Sequence, residues 1–391
     1  MSGGVRSYDI AYHLTKNGHT VNMVTSLREG HHKDGWSYTN EDGINVYWLS
    51  LPYSNKLNYF KRLKAFFAFA FQSAKKAFSL EGDIVFATST PLTIAIPALY
   101  ISWRKSIPMV FEVRDLWPDV PIAVGVIKNP LVKYLARFLE RYTYRKSKAI
   151  IALSVGMKNG VMKSGCKEDK IFVVPNFANR DLFRFGVDGA EFRARRKWLK
   201  DYPLIVYAGT FGMINGISYL VDVAEQLLLL NSNARILLTG DGKELDLIKS
   251  YAKEKRVFGV NLFIEDSVQK NQLPEIMSAA DLASNIVIDI PEVWNNSANK
   301  FFDALASGTP VLINGGGWQA DLISRTKSGI VTHGLTIKES AKLIDDFLKN
   351  KQLLNDSSKN ALRLSEKYFD KDKLVKQVES VLEGSIGRRT S

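Results

Sequence analysis

The stretch LIVYAGTFGMINGISYLVDVAEQL, residues 204–227, decides the fold. A short apolar run reaches Gly209, and Gly212 and Gly216 then lead into an amphipathic run. Strand, glycine-rich turn and helix in that order open a βαβ unit, whose next strand lies parallel to the first. The pattern recurs on both sides. Toward the C-terminus ARILLTGDG, VNLFIED, LASNIV, PVLIN and GIVT read as strands with helical stretches between them. Toward the N-terminus HTVNMVT, INVYWLS, DIVFATS, PMVFEV, KAIIALS and KIFVVP do the same. Each half therefore reads as one doubly wound α/β domain. The seam falls between Asn176 and Pro203, where no strand periodicity exists. The expected organisation is an N-terminal domain over 1–180, a C-terminal domain over 200–365, and 366–391 as a helix returning toward the first domain.

Composition narrows the class. Apolar residues at 46% and charged residues at 24% are the proportions of a globular protein. The longest nearly uncharged runs, such as PLTIAIPALYIS, fall well short of the ~20 apolar residues of a helical membrane span. The opening MSGGVRSYDIA is read as carrying no signal peptide, and the single cysteine, Cys166, leaves no internal disulfide. A cytoplasmic setting is expected. Residues 1–180 carry 25 Lys+Arg against 13 Asp+Glu, so a net +12 of the total +13 lies in the first half. Such a surface suits an anionic partner. Within it, residues 57–78 interleave aromatics with Lys61, Arg62, Lys64, Lys75 and Lys76. This reads either as a core helix with basic ends or as a helix lying on a membrane.

The N-terminal half has one irregularity. A helix over residues 9–18 follows the Gly3-Gly4 turn, yet no strand feeds that turn. In a doubly wound domain this strand is central, and its absence leaves open backbone edges and a slot. The first strand of the N-terminal domain is thus expected to be missing from the written chain, which either starts about ten to fifteen residues too late or is a fragment.

Ligands of doubly wound domains bind beyond the carboxyl ends of the strands, so the loops there hold the candidates. Gly3 and Gly4 with Arg6 could approach an anion or sugar, or make only a tight turn. FEVRDLWPDVP, residues 111–121, crowds Glu112, Arg114 and Asp115 at a strand end. They fit an acid or base with its tuner, or a structural ion pair. Gly209 and Gly212 offer backbone donors to a phosphate, although the spacing is not that of a dinucleotide site. Gly240 supplies a similar turn. In SANKFFDALASGTPVLI, residues 297–313, Ser297 is expected as the N-cap, with Lys300 third in the helix and Asp303 on the same face. The macrodipole disfavours a first-turn cation by ~0.3–1 kcal/mol unless an anion binds there. The alternative is an exposed Lys–Asp pair of little value.

Taken together, SGGVRSYDIAYHLTKNGHTVNMVTS, FEVRDLWPD, VVPNFANRDLF, YAGTFGMINGISYLV, LLTGDGKE and NKFFDALASGTPVLIN resemble a family 4 glycosyltransferase with the two-domain GT-B fold, over nearly the whole chain. FEVRDLWPD and NKFFDALASGTPV are closest to a branch of O-antigen and capsule enzymes that transfer sugars such as N-acetylfucosamine. The resemblance implies an α/β GT-B architecture, two Rossmann-like domains facing across a cleft. It implies a metal-independent, retaining transferase with no cofactor beyond its nucleotide-sugar substrate, expected as a UDP-sugar. The acceptor implied is a polyprenyl-diphosphate-linked glycan at the inner-membrane surface, with peripheral attachment and no nucleic acid. The acidic residues of the family's E-x7-E motif fall on Asn295 and Asp303. The diphosphate-clamping arginine and lysine fall on Thr210 and Asn215, so Lys300 is expected to replace those charges. The implied donor-binding set is Gly209, Thr210, Gly212, Asn215, Gly240, Asn295, Ser297, Asn299, Lys300 and Asp303. Glu112, Arg114, Asp115 and Lys300 are the catalytic candidates, and Gly3, Gly4 and Arg6 the acceptor-binding ones. A sugar-nucleotide 2-epimerase and a non-catalytic nucleotide-binding relative share the architecture.

Overall fold

The computed structural model describes residues 5–27, 35–51 and 59–387. In the first domain the strands are β1 (Asn22–Leu27), β2 (Trp36–Glu41), β3 (Ile44–Ser50), β4 (Val85–Thr88), β5 (Met109–Val113), β6 (Ala149–Ala152) and β7 (Ile171–Val173). Its helices are α1 (Val5–Lys16), α2 (Tyr59–Phe78), α3 (Ala95–Lys105), α4 (Asp119–Ala123), α5 (Pro130–Lys146) and α6 (Val155–Lys163). A short helix, α7 (Ala190–Ala194), lies in the seam.

The second domain carries β8 (Leu204–Ala208), β9 (Arg235–Thr239), β10 (Leu262–Glu265), β11 (Leu282–Asn285), β12 (Val311–Ile313) and β13 (Gly329–Val331). They form one sheet in the order β10-β9-β8-β11-β12-β13, and every pairing is parallel. The strand order reverses beside β8, the position where a doubly wound sheet opens a crevice. Around the sheet lie α8 (Ser218–Leu229), α9 (Leu245–Glu254), α10 (Leu273–Ala279), α11 (Asn299–Ala306), α12 (Trp318–Thr326), α13 (Ile337–Lys349) and α14 (Lys351–Tyr368). Strands buried on both faces explain the unbroken apolar runs in the sequence. Leu204, Ile205, Val206 and Tyr207 of β8 are all fully buried.

The described strands of the first domain do not form one continuous sheet. β1, β3 and β2 make a three-stranded sheet in the order β1-β3-β2, and β4-β5-β6-β7 make a separate parallel one. β1 and β4 each keep one edge without a partner among the described strands. β2 was not expected from the sequence. It reads WSYTNE, lies at a sheet edge and pairs antiparallel with β3, so packing selects few apolar residues in it. Gly3 and Gly4 lie outside the described residues.

The C-terminal amphipathic stretch is two helices, since the backbone leaves helical geometry at Phe369 and Asp370 caps α15 (Lys371–Ile386). Leu374, Val375, Val378 and Leu382 of α15 pack with Ile10 of α1, Val110 of β5, and Ala149 and Ile151 of β6. The chain thereby crosses back and buries its last apolar face on the first domain. Each such side chain removed from water is worth about 1.5–3 kcal/mol. No described helix is long and apolar enough to cross a membrane.

Candidate active site

Parallel pairing brings the carboxyl ends of β8, β9 and β11 to one edge of the second domain. After β8 the loop runs through Gly209 and Gly212, and after β9 through Gly240 and Gly242. The two loops touch backbone to backbone. The Phe211 N–H donates to the Asp241 carbonyl at 2.9 Å, and the Glu244 N–H to the Phe211 carbonyl at 3.0 Å. A Cβ on Gly240 would sit 1.8 Å from the Gly209 carbonyl oxygen, so only glycine allows this approach. Gly212 has more room, its nearest neighbour being Asn215 Nδ2 at 3.7 Å.

α11 aims its N-terminus at this pair of loops. Its apolar residues fix it from behind. The Phe302 ring meets Phe369 at 4.9 Å and the Phe301 ring meets Trp318 at 5.6 Å, edge to face in both cases. Asn299 is the first helical residue and Lys300 the second. The N-cap is Ala298, which offers no side-chain cap, rather than Ser297. Ser297 sits one residue too early to close the first turn. Its hydroxyl oxygen is buried and has no partner among the described residues. The Phe301 N–H donates to the Ala298 carbonyl at 3.2 Å, which leaves the Asn299 and Lys300 N–H groups at the positive end of the helix to attract an anion.

The Lys300 ammonium lies 4.0 Å from the centroid of the Tyr207 ring and 3.4 Å from Asn215 Oδ1. It approaches within 3.6 Å of where a Gly209 side chain would begin. Among the described residues no carboxylate lies within ion-pair reach of it. Burial pushes it down to about 7. Tyr207 and Asn215 both donate to the Thr210 carbonyl, at 2.8 and 2.9 Å, which turns the Asn215 oxygen toward the ammonium. Thr210 and Asn215 therefore carry no charge to the site but orient the lysine that does. Tyr207 supports the cation from below, and its place in the YAGT run was the available signal. Asp303 is 6% exposed, and burial raises its carboxyl to about 7 against the opposing pull of Lys270.

The other sequence candidates are placed differently. Glu112 is fully buried, with Oε1 receiving the Arg6 Nε at 2.8 Å and Oε2 the Thr88 hydroxyl at 2.7 Å. Burial would raise its pKa, but the charges of Arg6 and Arg114 and the Thr88 bond outweigh that and hold it below the ordinary carboxylate range. Its ion pair is with Arg6, from α1, and not with the neighbouring Arg114. Arg6, expected to face an acceptor, is 3% exposed and spends its remaining donors on the Val174 and Pro175 carbonyls. It ties α1 to β5 and to the end of β7. Arg114 and Asp115 stay part-exposed at the end of β5. Asp115 accepts from the Thr90 hydroxyl at 2.8 Å, and burial pushes its carboxyl up.

Asn295 does not face the glycine loops. Its Oδ1 lies 1.8 Å from where a Cβ on Gly156 would stand, so its amide rests against the start of α6 in the first domain. Ser154 donates to the Asn295 carbonyl at 3.2 Å, and Asn176 Nδ2 to the Ser297 carbonyl at 2.6 Å. The segment that leads into α11 is thus gripped by the first domain. Residues 154, 156 and 176 were not singled out in the sequence, because contacts across 120 to 140 positions leave no local pattern.

Two α/β domains, with glycine loops, an open helix end and a buried carboxyl gathered at the carboxyl edge of the second sheet, make a candidate anion site. Two family models match: the glycosyl transferase 4-like domain over residues 3–176 and the glycosyl transferases group 1 over residues 188–364. The chain belongs to the glycosyltransferases of the GT-B, family 4-like kind. It is 24% identical over 220 residues to the probable glycosyltransferase WbjE of Pseudomonas aeruginosa, 55% of this chain and 54% of that one. It is 25% identical over 196 residues to an uncharacterized glycosyltransferase of Methanocaldococcus jannaschii, 49% and 48% of the two chains. The chain thus spans about half the length of these curated relatives. Among solved structures, it resembles sucrose-phosphate synthase from Thermosynechococcus elongatus (TM-score 0.79, 16% identity, 98% of this chain and 93% of that one). It likewise resembles Anabaena HepE in complex with UDP and glucose (0.73, 16%, 98% and 97%). WaaG, a glycosyltransferase involved in lipopolysaccharide biosynthesis, is similar too (0.71, 16%, 97% and 95%). At these identities the likeness is one of fold.

Two measurements test the site. Lys300 is depressed from 10.5 to about 7, so the unfolded chain holds its proton more tightly between those values. The lysine therefore costs stability below about pH 7, and the cost fades as pH rises toward 10.5. Lys300→Met is expected to unfold at an equal or higher temperature at pH 7 while UDP binding falls by at least about tenfold, the scale of one lost charge-assisted contact. Above pH 7 the wild type should lose UDP affinity by at most about tenfold per pH unit, and the variant should not. Calorimetric titration from pH 6.5 to 8.5 reads both. Gly156→Ala should push Asn295 off α6, loosen the segment that leads into α11, and lower both UDP affinity and turnover.

Proposed function

We propose that this protein is a retaining glycosyltransferase that moves a sugar, of amino-deoxy type, from a UDP-linked donor to a lipid-linked glycan in surface-polysaccharide synthesis. The observation that carries the donor half is the Lys300 ammonium, held over Tyr207 without an anionic partner at the open N-terminus of α11. A diphosphate placed there would meet that cation, the orphan N–H groups of α11 and the glycine-loop backbone. As the bond from the anomeric carbon to the diphosphate oxygen breaks, negative charge gathers on the leaving group, and donors already in place lower the barrier. The acceptor hydroxyl oxygen bonds to the same face of that carbon, and its proton passes to the oxygen of the departing diphosphate. Lys300 supplies the positive charge at the leaving group in this reading, without a call on a divalent ion. Asp303, one turn deeper, fits a ribose hydroxyl. Arg114 and Asp115, part-exposed on the first domain, fit the acceptor side, and Glu112 with Arg6 holds the floor beneath them. The likeness in fold to HepE, which is in complex with UDP and glucose, and to WaaG, involved in lipopolysaccharide biosynthesis, accords with this reading. The test is to incubate the purified protein with UDP-sugars and polyprenyl-diphosphate-linked acceptors and to analyse products by mass and anomeric configuration. A lipid-linked product of retained configuration is expected. Sugar conversion in the absence of acceptor would make it an epimerase, and UDP binding without turnover of any donor would make it a binding relative.

The acceptor half rests on the surface of the first domain. α3 packs between α2 and α5. α2 buries Ala65, Ala70 and Ser73 but leaves Phe67, Phe71 and Phe78 exposed, so it is both a packed helix and a partly apolar surface. Trp103 is 73% exposed, and on α5 Leu131, Tyr134, Leu135 and Phe138 form an exposed stripe at helical spacing. Arg137, Arg141 and Arg145 accompany that stripe and line a groove of about 680 Å³ with Tyr142 and Lys170. Aromatic side chains flanked by arginines suit the headgroup layer of an anionic bilayer, at the cytoplasmic face of the membrane. Sedimentation with vesicles should show binding to phosphatidylglycerol-containing membranes and little to neutral ones, weakened by 0.5 M salt. Phe138→Ser with Trp103→Ser should reduce it. Binding indifferent to salt and to both substitutions would remove the membrane from this reading.

A further inference from the structure

The end of α1 and the middle of α15 meet in a cluster that the transferase reading does not use. Glu379 and Glu383 are four residues apart on one face of α15, and His19 stands opposite both. His19 Nε2 lies 3.0 Å from Glu379 Oε1 and 3.8 Å from Glu383 Oε1. The three ligand atoms all lie within 4.8 Å of one another. Glu379 is 8% exposed, whereas His19 and Glu383 face solvent.

We infer that His19, Glu379 and Glu383 bind a divalent transition-metal ion of the zinc class, which clips the C-terminal helix onto the first domain. Zinc bonds to imidazole nitrogen and carboxylate oxygen are about 2.0–2.2 Å, which sets tetrahedral ligands about 3.3–3.6 Å apart. The observed separations of 3.0 and 3.8 Å bracket that value. The charges favour a cation as well. Two carboxylates at this helical spacing repel each other. A divalent ion neutralises both.

An outer layer is already built. His13 Nε2 lies 3.1 Å from Glu379 Oε2, and Asn17 Nδ2 donates to both oxygens at 2.8 Å. These bonds fix the plane of the carboxylate, as outer partners do around metal ligands. Each carboxylate oxygen has two lone pairs, so Oε1 can accept from Asn17 and still ligate. The exposed side leaves the fourth position to water. Imidazole among the ligands selects zinc over magnesium, which prefers six oxygens. Because His19 lies in the turn between α1 and β1 while both glutamates lie on α15, the ion joins chain segments about 360 residues apart.

Calorimetric titration of the full, metal-stripped chain with Zn2+, with Mg2+ as control, tests this. One Zn2+ per chain is expected, together with a rise in the thermal midpoint that Mg2+ does not produce. Glu383→Gln, at an exposed position, should remove that binding and that rise while leaving the metal-free midpoint unchanged. His13→Gln, which touches only the outer layer, should weaken binding by about 10- to 100-fold. Zn2+ binding that is unchanged in Glu383→Gln, through His31 and His32 for example, would overturn the proposal. So would no Zn2+ binding by the wild type, which would leave the cluster a hydrogen-bonded helix contact.

Discussion

Parallel strand pairing is the constraint on which the rest of this structure depends. Each strand of the second domain must be followed by a return over one face of the sheet before the next can pair. Every loop that follows a strand therefore emerges at the same edge. Gly209, Gly240 and the start of α11 come together there although they are dispersed over about ninety residues of chain. The same rule brings the end of β6, with Ser154 and Gly156, to the facing edge of the first domain. A cleft site made from distant loops is the consequence.

What the constraint gathers is expensive to hold. Lys300 and Asp303 each occupy surroundings that disfavour their charged forms, and for both the ordinary equilibrium is pulled to about 7. The lysine lies below its free value and the aspartate above, so each subtracts stability near neutral pH, and for both the cause is burial. Phe301, Phe302 and Leu305 of the same helix bury apolar surface and offset the cost. An uncompensated cation beside an open helix end is tolerated in a ligand site, where an incoming anion supplies the missing half of the interaction. Tyr207 is suited to wait with it. Burial and the nearby Glu244 charge push its phenol up, so it stays protonated, bonds to the Thr210 carbonyl and presents its ring face to the ammonium.

The strands of this fold were legible because burial on both faces writes unbroken apolar runs, and Lys300 was legible because it breaks a rule of helix ends. What escaped was set by geometry with no local trace. β2 was missed because an edge strand with one solvated face needs little apolar sequence. The cap of α11 was placed one residue early, since Ser297 has the right side chain but Ala298 has the cap's backbone geometry. Glu112 looked like chemistry at a strand end. Its partner, Arg6, lies 106 residues earlier, and only their approach turns a candidate base into a buried tie. Asn295 was assigned to the donor by its spacing from Asp303, whereas the structure sets it against the other domain.

That last displacement alters how the two halves are coupled. Asn295 and Ser297 immediately precede the helix that carries Lys300, and both are held through backbone carbonyls by side chains of the first domain. Gly156 admits the Asn295 amide only because it lacks a side chain. Any rotation of one domain against the other must break these contacts and free the segment ahead of α11. The orphan N–H groups and the ammonium on that helix would then lose part of their fixed position. The position of the α11 end is therefore set in part by the first domain. The first domain acts on α11 from a distance, by holding the approach to a helix whose first turn carries Lys300.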